Sequence, residues 1–291
     1  MIPGQFEYVR PGTLDETLRI LQEREGEAKL LSGGYSLLPL LKLRLAQPGV
    51  LVDLRDVGGL DRITRTEDQF RIGGRVTHRQ IQEDEGITAK LPLLHDAAGG
   101  IGDPQVRNWG TIGGSVAHAD PSSDWPAVLL ALRAWVACRS ARAERLIAAR
   151  DFFIDSFVTA IEPTEVLTEI RVPVPAARSG GAYAKLERRA GDFSTVGCAV
   201  QLHLGGDGRI DQIGIGLTAV AEQPFAATRA EAVLDGAMPS EEMFREAGAA
   251  AAAQSRPVQD AHGPVDYKVA MVREMTIRAL GRAVQRAQMN G

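Results

Sequence analysis

Two glycine pairs dictate where this chain turns. The stretch LLSGGYSLLPLLKLR, Leu30 to Arg44, is an apolar run that breaks at Gly33-Gly34 and resumes with helical spacing. TIGGSVAHADPSSDW repeats the device at Gly113-Gly114, eighty positions later. Glycine permits positive φ and close backbone approach. A helix that begins at such a corner leaves its first N–H groups without intrahelical partners, so a strand–Gly-Gly–helix passage aims donors at one spot. The hydroxyls of Ser32, Ser36, Thr111 and Ser115 flank the two corners and add hydrogen-bonding capacity. Taken singly, either pair also reads as a plain tight turn. Together they suit a ligand with two adjacent phosphates, such as a pyrophosphate.

The ordinary nucleotide motifs are absent. No GxxxxGK[ST] and no GxGxxG joining a strand to a helix occurs. The five histidines show no HExxH spacing, and the nearest approach to a metal pair, His118 with Asp120, reads more plainly as loop polarity. Cys138 and Cys198 are the only cysteines, too few for an iron–sulfur cluster, and they fit a reduced cytoplasmic setting. With 33 basic and 37 acidic residues the chain has no bulk attraction for nucleic acid or anionic lipid. No apolar run is long enough to span a membrane, and the N-terminal stretch does not read as a signal peptide. No nucleophile motif or paired-carboxylate arrangement stands out, so no catalytic residue is assigned.

At 291 residues the chain exceeds the usual size of one core and suggests two domains. TLDETLRILQERE predicts an amphipathic helix with Thr13 as its cap. A strand follows at EAKLLSGG, then a helix over SLLPLLKLRLA with Pro39 in its first turn, strands at GVLVDLRDV and QFRIGGRVT, and a helix around HRQIQEDEGI. Residues 91–124 are rich in glycine and proline and predict a functional loop system. DWPAVLLALRA predicts a helix with Asp124 at or near its cap, and strands follow at AWVACRS and VLTEIRVPVP. The likeliest boundary lies in PVPAARSGG. Beyond it come three strands, AYAKLERR, STVGCAVQLHL and IDQIGIGLTAVA, and two helices, around PSEEMFREAGAAAAAQ and DYKVAMVREMTIRALGRAVQ. Strands followed by helices indicate an α+β domain.

Three segments, SGGYSLLPLLKLRLAQP, TIGGSVAHADPSSDWPAVLLAL and YAKLERRAGDFSTVGCAV, resemble the signatures of the FAD-binding medium subunit of the molybdenum hydroxylases, most closely the carbon monoxide dehydrogenase type within the xanthine dehydrogenase family. The resemblance covers essentially the whole chain. It implies an α+β protein: a two-subdomain FAD-binding domain of the vanillyl-alcohol oxidase/PCMH type over 1–177, with subdomains of about 1–57 and 58–177. An α+β C-terminal domain over 178–291 follows, built on a three-stranded antiparallel sheet with helices.

The same resemblance implies the site. Leu31, Ser32, Gly33, Gly34, Tyr35 and Ser36, with Thr111, Ile112, Gly113, Gly114 and Ser115, wrap the FAD pyrophosphate. Asp124 contacts the cofactor through polar atoms, Ile101 and Leu167 pack near the flavin or adenine, and Lys185 lies beside the isoalloxazine. The segment Arg188 to Thr195 is then the loop next to the ring, with Phe193 able to cover one face. Position 35 is commonly His or Gln in relatives and is Tyr here; position 115 is often Asn and is Ser here. Plainer roles stay open: Asp124 as a helix cap, Lys185 facing solvent, Phe193 and Trp125 in the core or an interface, and Trp109 as either loop or platform residue.

The implied function is electron transfer. Electrons pass from a small [2Fe-2S] iron–sulfur subunit through FAD to an external acceptor such as a quinone, NAD or oxygen, while a large molybdopterin subunit oxidises the substrate. The usual assembly is a dimer of such heterotrimers, in a cytoplasmic setting compatible with peripheral attachment at the inner membrane face. The four-cysteine insertion of the 4-hydroxybenzoyl-CoA reductases is missing, which argues against that branch. A stand-alone FAD-dependent reductase or oxidase on the same scaffold, comparable in fold to UDP-N-acetylmuramate dehydrogenase, is the alternative reading. A non-catalytic binding protein is the third.

Overall fold

Thr13 opens the first helix because its hydroxyl accepts the Glu16 amide at 3.1 Å, closing one of the N–H groups that a helix start leaves free. In the computed structural model, which describes residues 2–290, that helix (α1, Leu14–Glu23) follows a short strand, β1 (Glu7–Val9), and buries Leu18 and Leu21. β2 (Ala28–Leu31), α2 (Leu37–Lys42) and β3 (Val50–Asp53) come next, and the three strands pair in parallel in the order β1-β3-β2. The expected helix through Ala46 stops at Lys42, because the chain turns left-handed at Arg44, with φ 59°.

β4 (Ile63–Arg65) and β5 (Gln69–Gly73) then lead into a run of short helices. These are α3 (His78–Glu83), α4 (Glu85–Lys90), α5 (Pro92–Gly99), α6 (Pro104–Trp109), α7 (Ile112–His118) and α8 (Asp124–Ala131). The single helix expected around HRQIQEDEGI is two. Asp84 is extended, and its carboxylate accepts from Ile87 N–H to start α4. The expected loop system is largely helical as well. Pro92 and Pro104 sit at helix starts, where a missing N–H costs nothing, and Asp103 and Thr111 cap α6 and α7.

β6 (Trp135–Arg139), β7 (Glu144–Ala148), α9 (Ala149–Phe152), the hairpin β8 (Phe153–Asp155) and β9 (Val158–Thr159), and β10 (Val166–Pro173) complete this part. The five-stranded sheet runs β4-β5-β10-β6-β7 and is antiparallel throughout. Its buried Phe70, Ile72, Val136, Ile170 and Val172 pack in one core with Leu93, Leu94, Trp125 and Val128 of the helices. Each such side chain taken out of water stabilises the fold by roughly 1.5–3 kcal/mol.

The C-terminal third is β11 (Ser179–Leu186), β12 (Val196–Leu204), β13 (Ile210–Thr218), β14 (Phe225–Ala226), α10 (Thr228–Leu234), α11 (Glu241–Gln254) and α12 (Val265–Met289). Its antiparallel sheet, β11-β12-β13-β14, adds a two-residue edge strand to the three expected, and α10 was not foreseen either. Ala182, Val200, Ile215, Val272, Leu280 and Val284 share its core with the helices.

α8 joins the two cores. All eight of its residues are buried, and all but Asp124 are apolar, as befits a helix enclosed on every side. A Cβ on Gly216 of β13 would stand 1.9 Å from the Ala127 carbonyl oxygen, so only glycine lets the helix lie this close to the sheet.

Candidate functional site

The two glycine corners meet. Ser32 Oγ and Thr111 Oγ1 are 2.9 Å apart, and a Cβ on Gly33 would stand 2.6 Å from the Trp109 carbonyl oxygen and 2.8 Å from Gly110 Cα. Gly34 has φ 86°, the left-handed region that glycine enters without steric cost. Residues after β2 and residues before α7 therefore form one wall.

The corners differ in what they offer. Among the described residues, the backbone N–H groups of Gly33, Gly34, Tyr35 and Ser36 find no acceptor in the chain, nor does that of Thr111. At the second corner the helix-start donors are already used. Ile112 N–H goes to Val76 O at 2.9 Å, Gly113 N–H to Gly74 O at 3.0 Å and Gly114 N–H to Thr111 Oγ1 at 3.2 Å. The expectation that both corners present free amides thus holds for the first only. Gly113 and Gly114 lie within α7 rather than in a left-handed turn, and Gly113 is required by contact: its Cβ would meet Gly74 O at 2.4 Å. Gly74 is likewise pressed onto Leu167 O, which sets the buried Leu167 one layer behind the second corner. No hydrogen-bond partner within the described residues takes up the Ser115 hydroxyl, and Ile112 serves the core.

A second cluster gathers around the start of α8. Ser123 occupies the cap position and Asp124 is the first helical residue, so capping does not explain Asp124. Its carboxylate is 5% exposed and accepts from Tyr183 Oη at 2.6 Å, Ser194 Oγ at 2.8 Å and Lys185 Nζ at 3.1 Å. Lys185 Nζ also donates to Gly100 O at 2.8 Å, and Glu187 Oε2 stands 3.3 Å from it without the alignment of a hydrogen bond. Lys185 therefore does not face solvent. Burial pushes the Asp124 carboxyl up from the usual range, against the opposing pull of Lys185 and the hydroxyl donors, and burial beside that carboxylate pushes the Tyr183 phenol well up.

Between these clusters runs the turn Gly100–Gly102. Arg107 Nη1 donates to Ile101 O at 3.1 Å and Gly102 O at 2.8 Å, and half-buried Ile101 packs on the core. A Cβ on Gly191, where φ is 89°, would come within 3.0 Å of the Gly102 carbonyl, which places the Arg188 to Thr195 loop against the turn. Phe193, Trp109 and Tyr35 are exposed. Trp125, by contrast, is fully buried, and its Nε1–H donates to His78 Nδ1 at 3.1 Å.

His78 is the contributor that sequence reasoning missed. Burial, with Arg107 nearby, pushes its pKa down to about 4, so it stays neutral and can accept from Trp125. A Cβ on Gly110 would stand 3.0 Å from His78 Nε2, so the histidine backs the turn that leads to Thr111. Its sequence signal was the Thr77–Gln80 capping box, which fixes a helix start at position 78.

This arrangement fits a dinucleotide. A glycine turn with four unsatisfied amides and flanking hydroxyls suits a diphosphate, and a buried lysine is held at the Gly100–Gly102 turn. Residues 4–175 match the FAD binding domain in molybdopterin dehydrogenase, and residues 181–283 the CO dehydrogenase flavoprotein C-terminal domain. The chain belongs to this family of FAD-binding medium subunits. Like the family, it is an oxidoreductase subunit whose cofactor is FAD. This medium subunit is 40% identical to the carbon monoxide dehydrogenase medium chain of Afipia carboxidovorans, over 99% of its own length and 100% of the relative's. It is 36% identical to the 6-hydroxypseudooxynicotine dehydrogenase complex subunit alpha of Paenarthrobacter nicotinovorans, over 99% and 97% of the two chains. The solved carbon monoxide dehydrogenase from Hydrogenophaga pseudoflava, in a form lacking the Mo-pyranopterin moiety, superposes with a TM-score of 0.96 at 42% identity, covering 98% of the medium subunit and 99% of that chain.

Among the described residues there is no group of side chains able to hold a metal ion, and no helix is long and apolar enough to cross a membrane. Both thiols are free and buried, and burial pushes each up to about 12, so neither is a reactive thiolate.

Proposed function

We propose that this subunit relays electrons within a molybdenum hydroxylase, and that the corner Leu31–Ser36, with Thr111, Ile112, Gly113, Gly114 and Ser115, holds the FAD diphosphate. The observation that carries the site is the row of free N–H groups at Gly33, Gly34, Tyr35 and Ser36, a charge-complementary cradle for phosphate oxygens. In this reading Ile101 and Leu167 pack near the flavin or adenine, while Lys185 and Phe193 stand at the isoalloxazine. Asp124 acts from behind, since its oxygens already hold three protein donors.

FAD when bound supplies the chemistry, taking electrons singly and passing on a pair, which suits delivery from a [2Fe-2S] subunit to a quinone, NAD or oxygen. The chain's own residues bind and orient. The buried Lys185, held by Asp124 and by Gly100 O, presents its amine at the site, and the Arg188 to Thr195 loop that carries Phe193 packs on the Gly100–Gly102 turn. Partners are a small iron–sulfur subunit and a large molybdopterin subunit in a dimer of heterotrimers, in the cytoplasm. Relatives named as a medium chain and as subunit alpha of a dehydrogenase complex support a multi-chain assembly. The domain division at residues 177 and 178 belongs to the same reading, supported by the connection from β10 to β11 and by a second core built wholly from residues after it, although Tyr183 and Ala199 reach back into the first. Because the relatives' names carry different substrates on one scaffold, substrate choice is assigned to the large partner.

Purification of the complex from its native host, followed by metal and cofactor analysis, tests this. The expected result is FAD on this chain with iron and molybdenum on companions. Recovery of the chain alone, without an iron- or molybdenum-bearing partner, contradicts it.

A further inference from the structure

Four side chains from three segments converge on one buried point. Asp124 opens α8, Tyr183 and Lys185 are alternate residues on one face of β11, and Ser194 closes the loop that carries Phe193. Oδ1 takes both hydroxyl donors, from Tyr183 at 2.6 Å and Ser194 at 2.8 Å, leaving Oδ2 to Lys185 at 3.1 Å. Tyr183 Oη and Ser194 Oγ also lie 3.4 Å from each other. The anchor under this cluster is firm. Thr218 Oγ1 donates to the carbonyls of Pro121 and Ser123, each at 2.8 Å, and fixes the start of α8 to β13.

We propose that Tyr183 and Ser194 are positioning residues for the flavin, forming with Asp124 a latch that sets where the Lys185 ammonium and the Phe193 loop stand. The inference rests on the flavin placement given under Proposed function.

Charge-assisted hydrogen bonds in a dry interior are strong and directional. With both hydroxyls in place, Asp124 cannot swing without leaving a buried donor unpaired, so Oδ2 stays on Lys185. Lys185 is tied at the same time to Gly100 O, in the turn against which the loop packs. Loss of the Ser194 hydroxyl leaves Ser194, the residue next to Phe193, held by a long 3.4 Å bond from its N–H to Ser122 O, while Thr195 N–H still closes the loop on Leu186 O at 2.7 Å. Loss of the Tyr183 hydroxyl frees the carboxylate itself. Neither side chain is needed at the diphosphate corner, so the latch and the cradle are separable.

The test uses the full chain reconstituted with FAD, with Ser194→Ala, Tyr183→Phe, Ser194→Thr and Lys185→Met, and thermal unfolding as the folding control. The readouts are the visible circular dichroism of the bound flavin and the rate of FAD dissociation. Ser194→Ala and Tyr183→Phe are expected to bind FAD, to alter the visible dichroism and to release FAD about tenfold faster, the effect of about one charge-assisted hydrogen bond. Ser194→Thr restores the hydroxyl and both readouts. If Tyr183→Phe does not fold, the Ser194 pair decides. Wild-type dichroism and release in Ser194→Ala, with altered dichroism in Lys185→Met, overturns the latch and leaves the flavin placement standing. Unaltered dichroism in Lys185→Met overturns the placement and the latch with it.

Discussion

Ser32 Oγ lies 2.9 Å from Thr111 Oγ1, although 79 positions separate the two residues in the chain. The contact closes the glycine turn after β2 against the start of α7, and so makes a single wall from two distant motifs. Thr111 has two duties, since the same oxygen accepts from Gly114 N–H. Thr111→Ala is expected to cost about 1–2 kcal/mol through loss of the cap, and Ser32→Ala about 1 kcal/mol or less. Denaturant unfolding of both variants and the double mutant checks this, with a coupling of at least about 0.5 kcal/mol expected for side chains in contact.

Gly33 is the residue on which close approach depends. A Cβ there would meet the backbone of Trp109 and Gly110 at 2.6 and 2.8 Å, and backbone cannot step aside as a flexible side chain can. Gly33→Ala is therefore expected to part the corners, destabilise the fold by roughly 1–3 kcal/mol and strip bound FAD. Gly33→Val abolishes FAD retention outright. Flavin content after gel filtration reads the result. Retention of a full complement of FAD would show that the corners do not hold it.

His78 gives the fold a pH dependence. Its pKa is about 4 in the folded chain against 6.5 when exposed, so the unfolded chain binds the extra proton between those values. Stability from this group is complete above about pH 6.5 and falls as pH drops towards 4, by a total on the order of 3 kcal/mol. Melting temperature followed from pH 7 to 4 should decline more steeply for the native chain than for His78→Asn, which offers an acceptor to Trp125 without titrating.

Gly216→Ala tests the joint between the two cores. Its Cβ would stand 1.9 Å from the Ala127 carbonyl oxygen, closer than any relaxation of a side chain could relieve. The expected outcome is loss of soluble protein, or a destabilisation of more than about 3 kcal/mol, measured by expression and thermal unfolding.

Much of this was legible because the signals were local. Thr13 with an acidic first turn announces α1, and the strands around Val200 and Ile215 carry their own β-branched pattern. The two corners were visible as glycine pairs beside hydroxyls. What escaped depends on distant partners. Whether Gly113 N–H is free is decided by Gly74 O, and no sequence window contains both. The helices α5, α6 and α7 were hidden by glycines within or beside them, although Pro92, Asp103-Pro104 and Thr111 are ordinary start signals. Asp124 read as a cap because α8 begins there. Its true partners lie on β11 and in the loop before β12, and only tertiary folding brings them within 3.1 Å.

The most direct measurement is a crystal structure of the chain loaded with FAD. The account predicts diphosphate oxygens within about 3.2 Å of the Gly33, Gly34, Tyr35 and Ser36 amides, with the ring system beside Lys185 and Phe193. A diphosphate bound elsewhere, with those four amides facing only solvent, would contradict it.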